Sequence, residues 1–301
     1  MKELLDQYDG ILAEAAIVER LRRNDDIELD ERLVHAPLLY CDAGRDALAR
    51  LYREYIGIAE SGSLPILLGT PTWRANKDRV MASGISRDVN ADAVRFLKRV
   101  VEELVPETPV KIGGLIGCKN DCYLPEQALS TDEAKTFHRW QIDQLVSGGA
   151  DFLLAATLPS VEEAAGIALA MADSGLPYIL SFVVGEDGKI LDGTSLQAAI
   201  ESIDALASVP PLGYFVNCSY PSFLKAALLP GKALGRLIGI QANASSLTHA
   251  ELDGSAEVKF EPVVEWGQLM IQLNRDYGVK VLGGCCGTHG EHLQYLSDHL
   301  R

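Results

Sequence analysis

Short apolar runs alternate with helix-length amphipathic stretches along the whole of this 301-residue chain. The runs are Leu4–Tyr8, Pro65–Leu68, Val110–Ile116, Asp151–Ala156, Tyr178–Val184, Gly213–Val216, Arg236–Ile240 and Val279–Leu282. Runs this short, several of them rich in Val, Ile or Phe, read as strands rather than helices. Between them, Ala13 to Arg23 and Asp42 to Ser61 have helical composition. Ser130-Thr-Asp-Glu133 has the form of a capping box ahead of Ala134–Ser147. Ser160-Val-Glu-Glu and Thr194-Ser-Leu-Gln open further helices, and Gly148-Gly149 stops one just before Asp151. Eight strands alternating with about eight helices predict a single-domain (β/α)8 barrel over residues 1–301, a fold that runs to roughly 250 residues or more. The alternative is an open doubly wound sheet. The first run is followed by no Gly-rich phosphate turn, which favours the barrel.

Composition narrows the function. Asp plus Glu number 42 against 27 Lys plus Arg, a formal net charge of −15. Such a surface repels phosphate backbones and anionic headgroups, which argues against a nucleic-acid or membrane-surface protein. No apolar run approaches the roughly 20 residues needed to cross a bilayer. The acidic, Arg-containing first residues do not read as a signal peptide, so a cytoplasmic location is expected. Six cysteines in a chain of this length are too few for a disulfide scaffold. Four of them are clustered, Cys118 with Cys122 and Cys285 with Cys286, which in a reducing compartment suggests a metal site or a reactive thiol.

In a barrel the chemistry gathers where strands end. Asp9-Gly10 follows the first run, Gly69-Thr-Pro-Thr-Trp73 the second, and Gly117-Cys-Lys-Asn-Asp-Cys122 the third. Ala156-Thr-Leu-Pro159 follows the fourth, Asn217-Cys218 the sixth, Gln241-Ala-Asn243 the seventh, and Gly283-Gly-Cys-Cys-Gly287 the eighth. Adjacent cysteines on an ideal strand point to opposite faces, but Gly283, Gly284 and Gly287 let the backbone leave strand geometry. Both sulfurs can then converge with Cys218 on one point. Three cysteines and an open position are the pattern of a catalytic zinc site, since structural zinc normally takes four protein ligands. Spacing alone leaves a vicinal disulfide, or a buried core role for Cys218, open.

The segment Val281-Leu-Gly-Gly-Cys-Cys-Gly-Thr-His-Gly-Glu-His-Leu293 resembles the C-terminal signature of the homocysteine S-methyltransferase family. Phe215-Val-Asn-Cys-Ser-Tyr-Pro221 resembles its Asn-Cys motif, and Asp9-Gly10 the Asp-Gly that closes its first strand. Ser181-Phe182 with Leu191-Asp-Gly-Thr194 resembles its central elements, and Gln241-Ala-Asn243 its Pro-Asn turn. The resemblance covers most of the chain in order. It implies a zinc-binding (β/α)8 barrel with Cys218, Cys285 and Cys286 as ligands, and transfer of a methyl group to the thiol of homocysteine or a related thiol. The partners it implies are a small-molecule thiol and a methyl donor, with any corrinoid donor arriving on a separate protein. The candidate substrate-binding residues are Asp9, Glu14, Thr72, Thr157, Ser181, Asn217 and Asn243.

The chain also departs from that family. Ala13 and Glu14 stand where many members have a Gly-Thr turn, and Pro71-Thr72-Trp73 replaces an Asn-Thr-Tyr-like element. Ala156 replaces the acid that, with the first-strand acid, is implied to hold the substrate ammonium. Asp9 is expected to keep the first carboxylate, and Glu14 is a candidate for the second or a rim salt bridge. These departures motivate a second reading, a thiol- or zinc-binding barrel with altered substrate or lost catalysis. A zinc hydrolase is weaker, because thiolate-rich zinc is a poor Lewis acid. Cys118 and Cys122 read as a redox pair or plain loop thiols. His289 reads as a support to the cysteines or a helix cap, while His138 and His249 are scattered.

Overall fold

The computed structural model describes residues 1–228, 235–247 and 260–300; His249 lies outside the described residues. The strands are β1 Ile11–Ala13, β2 Ile66–Gly69, β3 Val110–Ile116, β4 Phe152–Leu158, β5 Tyr178–Phe182, β6 Gly213–Asn217, β7 Leu237–Ala242 and β8 Val281–Gly284. All neighbours pair in parallel and in chain order, and β1 pairs with both β2 and β8, so the sheet closes as the expected (β/α)8 barrel. Helices follow the strands, and among the described residues none is long and apolar enough to cross a membrane.

The first strand is not where the apolar run placed it. Leu4–Tyr8 lies in a short helix, Lys2–Gln7, and its end, and β1 is the three-residue Ile11–Ala13. Leu4 and Tyr8 stand one helical turn apart rather than alternating, and Asp6 pairs with Lys2 across the exposed face. Leu4 is buried in the apolar column that fills the barrel, with Ile11, Leu67, Phe152, Ile179, Phe215 and Val281. The helix therefore plugs the N-terminal end of the barrel. The last two strands also run further toward their C-terminal ends than the apolar runs suggest.

A second, larger core fills the space between barrel and helices. The helix Asp42–Ser61 buries Leu48, Tyr52, Tyr55, Ile56 and Ala59, an inward stripe at spacings of three and four. Tyr52 donates to the Gly69 carbonyl at 2.9 Å and Tyr55 to that of Ala16 at 2.7 Å, which ties this helix to the rim. The anticipated caps form. The Glu133 carboxylate accepts from the Ser130 N–H at 3.1 Å, and the Ser160 hydroxyl from the Glu162 N–H at 3.2 Å. Gly149 ends the helix Thr131–Gly148 in the left-handed region.

Candidate metal centre

Three thiols meet at the C-terminal rim. The sulfurs of Cys218, Cys285 and Cys286 all lie within 4.8 Å of one another. Cys218 directly follows β6 with φ at +52°, a left-handed conformation uncommon for a residue with a Cβ. Its N–H donates to the Gln241 carbonyl at 3.2 Å. Cys285 leaves β8 while still donating to the Ala242 carbonyl at 2.7 Å, and its own carbonyl accepts from the Thr288 hydroxyl at 2.6 Å. Of the three glycines credited with this turn, Gly287 alone has positive φ, and its N–H is held by the Glu19 carboxylate. Gly283 stays in the strand, where a Cβ would meet Ala13 at 2.7 Å; it is needed for close packing.

The Asn217 side chain organises the neighbourhood of Cys218. Its oxygen accepts from the Thr157 N–H at 2.8 Å and the Ser181 hydroxyl at 2.6 Å. Its nitrogen donates to the Thr157 hydroxyl at 2.7 Å and reaches the Cys218 sulfur at 3.4 Å. Thr157 sits at an irregularity of β4 with φ at +62°, which turns its hydroxyl toward Cys218, 4.0 Å away. Contacts with Cys285 and Cys286, then burial, push the Cys218 thiol far above its ordinary range. Cys285 is pulled down by Cys218, but Cys286 and burial raise it overall. Cys218 and Cys285 thus hold their protons unless a cation offsets the charge of the clustered thiolates. A soft divalent ion fits: tetrahedral Zn–S bonds of about 2.3 Å place sulfurs about 3.8 Å apart, within the observed spacing.

Beside this cluster stands Glu14, the residue after β1. Its backbone carbonyl accepts from the Gly284 N–H at 3.0 Å, and its buried carboxyl accepts from the Gly69 N–H at 2.9 Å. Burial pushes that carboxyl up to about 8, the single amide hydrogen bond opposing it. Among the described residues no cationic side chain pairs with it. Asp9, in contrast, precedes β1 and lies at the opposite end of the barrel. Its side chain is 92% exposed and pairs with Lys280, which precedes β8, at 3.1 Å. Asp9-Gly10 therefore does not close the first strand; Glu14 stands at that place.

The structure brings Glu14, Thr157, Ser181 and Asn217 to the cysteine end and gives two other candidates different work. The Thr72 hydroxyl is buried and donates to the Leu115 carbonyl at 2.6 Å, fastening the loop after β2 to β3. The Asn243 amide is committed to the backbone of the two cysteine loops. Ala156 faces the apolar column, so no carboxylate comes from that place. Cys118 and Cys122 are free, buried thiols, both raised chiefly by burial, Cys122 to about 11. Both sit in the packed core, where burial disfavours the thiolate. His289 caps the helix Gly290–His299, its N–H meeting His292 Nδ1 at 3.3 Å. His138 is buried against Glu163, at 3.0 Å.

Sequence reasoning missed Tyr123. Its phenol is raised first by desolvation and then by the charges of Cys218 and Cys286, so it lies within electrostatic reach of the cluster. The residue beside it, Cys122, drew the attention in the sequence, and no spacing marked the tyrosine.

Known proteins share this fold and sequence pattern. The family model described as homocysteine S-methyltransferase matches residues 11–300, starting after Asp9-Gly10. Homocysteine S-methyltransferase 1 of Brassica oleracea var. italica is 26% identical over 180 residues, covering 58% of this chain and 53% of that protein. Betaine–homocysteine S-methyltransferase 1 of Xenopus laevis is 24% identical over 281 residues, 85% of this chain and 65% of that protein. The matches to the first of these relatives span about half of their length. The metallated form of the homocysteine methyltransferase MmuM from Escherichia coli superposes with a TM-score of 0.78 over 98% of both chains, at 20% identity, a likeness of fold. With a family match that runs from β1 to the last described residue, and with a Gly-Gly-Cys-Cys-Gly turn meeting the Asn-Cys strand end, this chain belongs to the homocysteine S-methyltransferase family.

Proposed function

We propose that this chain is a zinc-dependent S-methyltransferase whose acceptor is the thiol of homocysteine or a related small thiol. The observation that carries the reading is the convergence of Cys218, Cys285 and Cys286 at the C-terminal rim, beside a buried carboxyl with no cationic partner among the described residues. Zinc, when bound, supplies a positive charge that keeps an acceptor thiol deprotonated and nucleophilic near neutral pH. The chain's own groups do the rest. Asn217 and Thr157 flank the Cys218 sulfur, and the Asn217 amide directs a polar hydrogen toward it. Glu14 offers its carboxyl to the ammonium of an amino-acid thiol, and Tyr123, on the loop after β3, lies within electrostatic reach of the cluster. The methyl donor is a separate small molecule or a methyl-corrinoid carried by another protein.

Ala156 favours a second acceptor class within the same chemistry. With one carboxyl at the mouth instead of two, the site reads an ammonium less well, and a single lost charge-assisted hydrogen bond costs about 1.5–3 kcal/mol, roughly ten- to a hundredfold in affinity. A thiol with fewer demands at that end suits the pocket. The test is a metal analysis followed by thiol titration. The purified protein should hold about one zinc per chain, lost on Cys218→Ser, Cys285→Ser or Cys286→Ser and kept when Cys118 and Cys122 are replaced. Metal content indifferent to all three substitutions would sink the assignment.

A further inference from the structure

The two loops that carry the cysteines come from β6 and β8, with β7 between them. Asn243, the residue after β7, touches both. Its side-chain nitrogen donates to the Cys218 carbonyl at 3.0 Å, and its side-chain oxygen accepts from the Cys286 N–H at 3.1 Å. Only one orientation of the amide satisfies a carbonyl on one side and an N–H on the other. The backbone of Asn243 is held in turn. Its N–H donates to the Ser219 carbonyl at 3.0 Å, and its carbonyl accepts from the Trp266 indole at 3.0 Å. Trp266 is fully buried and Asn243 is 3% exposed, so the clasp is shielded from water.

From this geometry we infer that Asn243 is a positioning residue for the metal: its amide bridges the two ligand loops and presets the separation of the Cys218 and Cys286 sulfurs. The inference rests on the zinc reading above. Cys218 is the ligand that most needs such support. A left-handed conformation in a residue with a Cβ is unfavourable and persists only when its surroundings over-determine it. Asn243 fixes the carbonyl that closes this residue, while Gln241 fixes its N–H. Without the amide, the Cys218 carbonyl and the Cys286 N–H lose this partner, and the two loops are joined through their backbone bonds to the end of β7, without this clasp between them. Groups that orient metal ligands typically change metal affinity by about 10- to 100-fold when removed.

The experiment measures the zinc dissociation constant by chelator competition, the absorption spectrum of the cobalt(II)-loaded protein, and Tm with and without zinc. Asn243→Ala should bind zinc about 10- to 100-fold more weakly than wild type, with a shifted cobalt spectrum and a smaller zinc-dependent rise in Tm. Asn243→Gln keeps both polar groups and displaces them by one methylene. It preserves folding better and should show an intermediate weakening. Asn90→Ala is the control for simple destabilisation: it removes a buried amide that donates to the Ala75 carbonyl and to Gln144, beneath the loop after β2. It should lower Tm equally with and without zinc and leave the dissociation constant within about twofold. Zinc binding by Asn243→Gln at wild-type affinity and with the wild-type cobalt spectrum would overturn the assignment, as would an equal loss of affinity in Asn90→Ala. A wild-type chain that binds no zinc would take down the functional reading together with this one; unaltered binding in the Asn243 variants takes down this one alone.

Discussion

Glu14 is a carboxyl taken out of water and given one amide hydrogen bond in return, and its chemistry follows from that imbalance. Raised from 4.5 to about 8, it holds a proton in the folded state that it releases in the unfolded chain. The folded state therefore binds more protons between these values, and stability must fall as pH rises from about 4.5 to 8, by on the order of a few kcal/mol. Glu14→Gln keeps an oxygen for the Gly69 N–H and removes the titration. We expect its Tm to exceed that of wild type by a margin that grows from pH 5 to pH 8 and then levels; a constant margin would show that Glu14 is already ionised at low pH. The same proton controls the acceptor. An ammonium beside Glu14 favours the carboxylate, so the affinity ratio of homocysteine to its des-amino analogue should rise toward pH 8 in wild type and stay flat in Glu14→Gln. Legibility at this scale was mixed. The sequence offers both Glu14 and Asp9, and it favours Asp9 because an Asp-Gly after an apolar run looks like a strand end. Only the placement of β1 shows that Asp9 faces Lys280 at the far end.

Among the elements, those with local physics were legible and those set by tertiary contacts were not. The box at Ser130 and Glu133 and the Gly149 stop act within a few residues, so the sequence carries them whole. β1 is three residues long, and its burial comes from neighbours β2 and β8 and not from its own pattern; Leu4–Tyr8, richer in apolar residues, outscored it. Glu163 shows the same limit. In the sequence it is a first-turn acid of a helix. In the fold it is fully buried and accepts from the Lys119 N–H at 2.8 Å, the Leu129 N–H at 3.2 Å and His138 at 3.0 Å. One carboxylate thus pinches both ends of the loop that carries Tyr123 to the cysteines. Glu163→Ala leaves two N–H groups and a buried histidine without this partner, a cost of about 2–5 kcal/mol. Amide exchange across residues 119–129 should quicken well beyond that of the neighbouring helices, while the three cysteines still hold zinc. Exchange that quickens uniformly over the whole chain would show that Glu163 supports the fold at large and not this loop.

The whole molecule separates its functions along the barrel axis. One apolar column runs from Leu4 at the N-terminal plug, through Ile11, Phe152 and Phe215, to Ala13 and Ala156 under the cysteine rim. Its residues are large in the middle and small at Ala13 and Ala156, and on the proposed function these small side chains are where an acceptor's tail would lie. The two ends of the same column should therefore respond oppositely to a change of volume. Leu4→Ala opens a cavity far from the thiols and should cost about 2–5 kcal/mol of stability, with zinc and thiol affinities unchanged. Ala156→Leu extends the column into the mouth. It should leave zinc content intact and weaken every thiol acceptor together, raising KM more than it lowers kcat, because added methylenes occupy the space of the acceptor's tail. Ala156→Glu puts a second carboxyl at the same place and should instead raise the preference for homocysteine over its des-amino analogue. The three variants are read by denaturation, metal analysis and acceptor titration. If Leu4→Ala weakens thiol binding as much as Ala156→Leu does, the column transmits strain from plug to rim, and the separation argued from the positions of β1 and Ala156 does not hold.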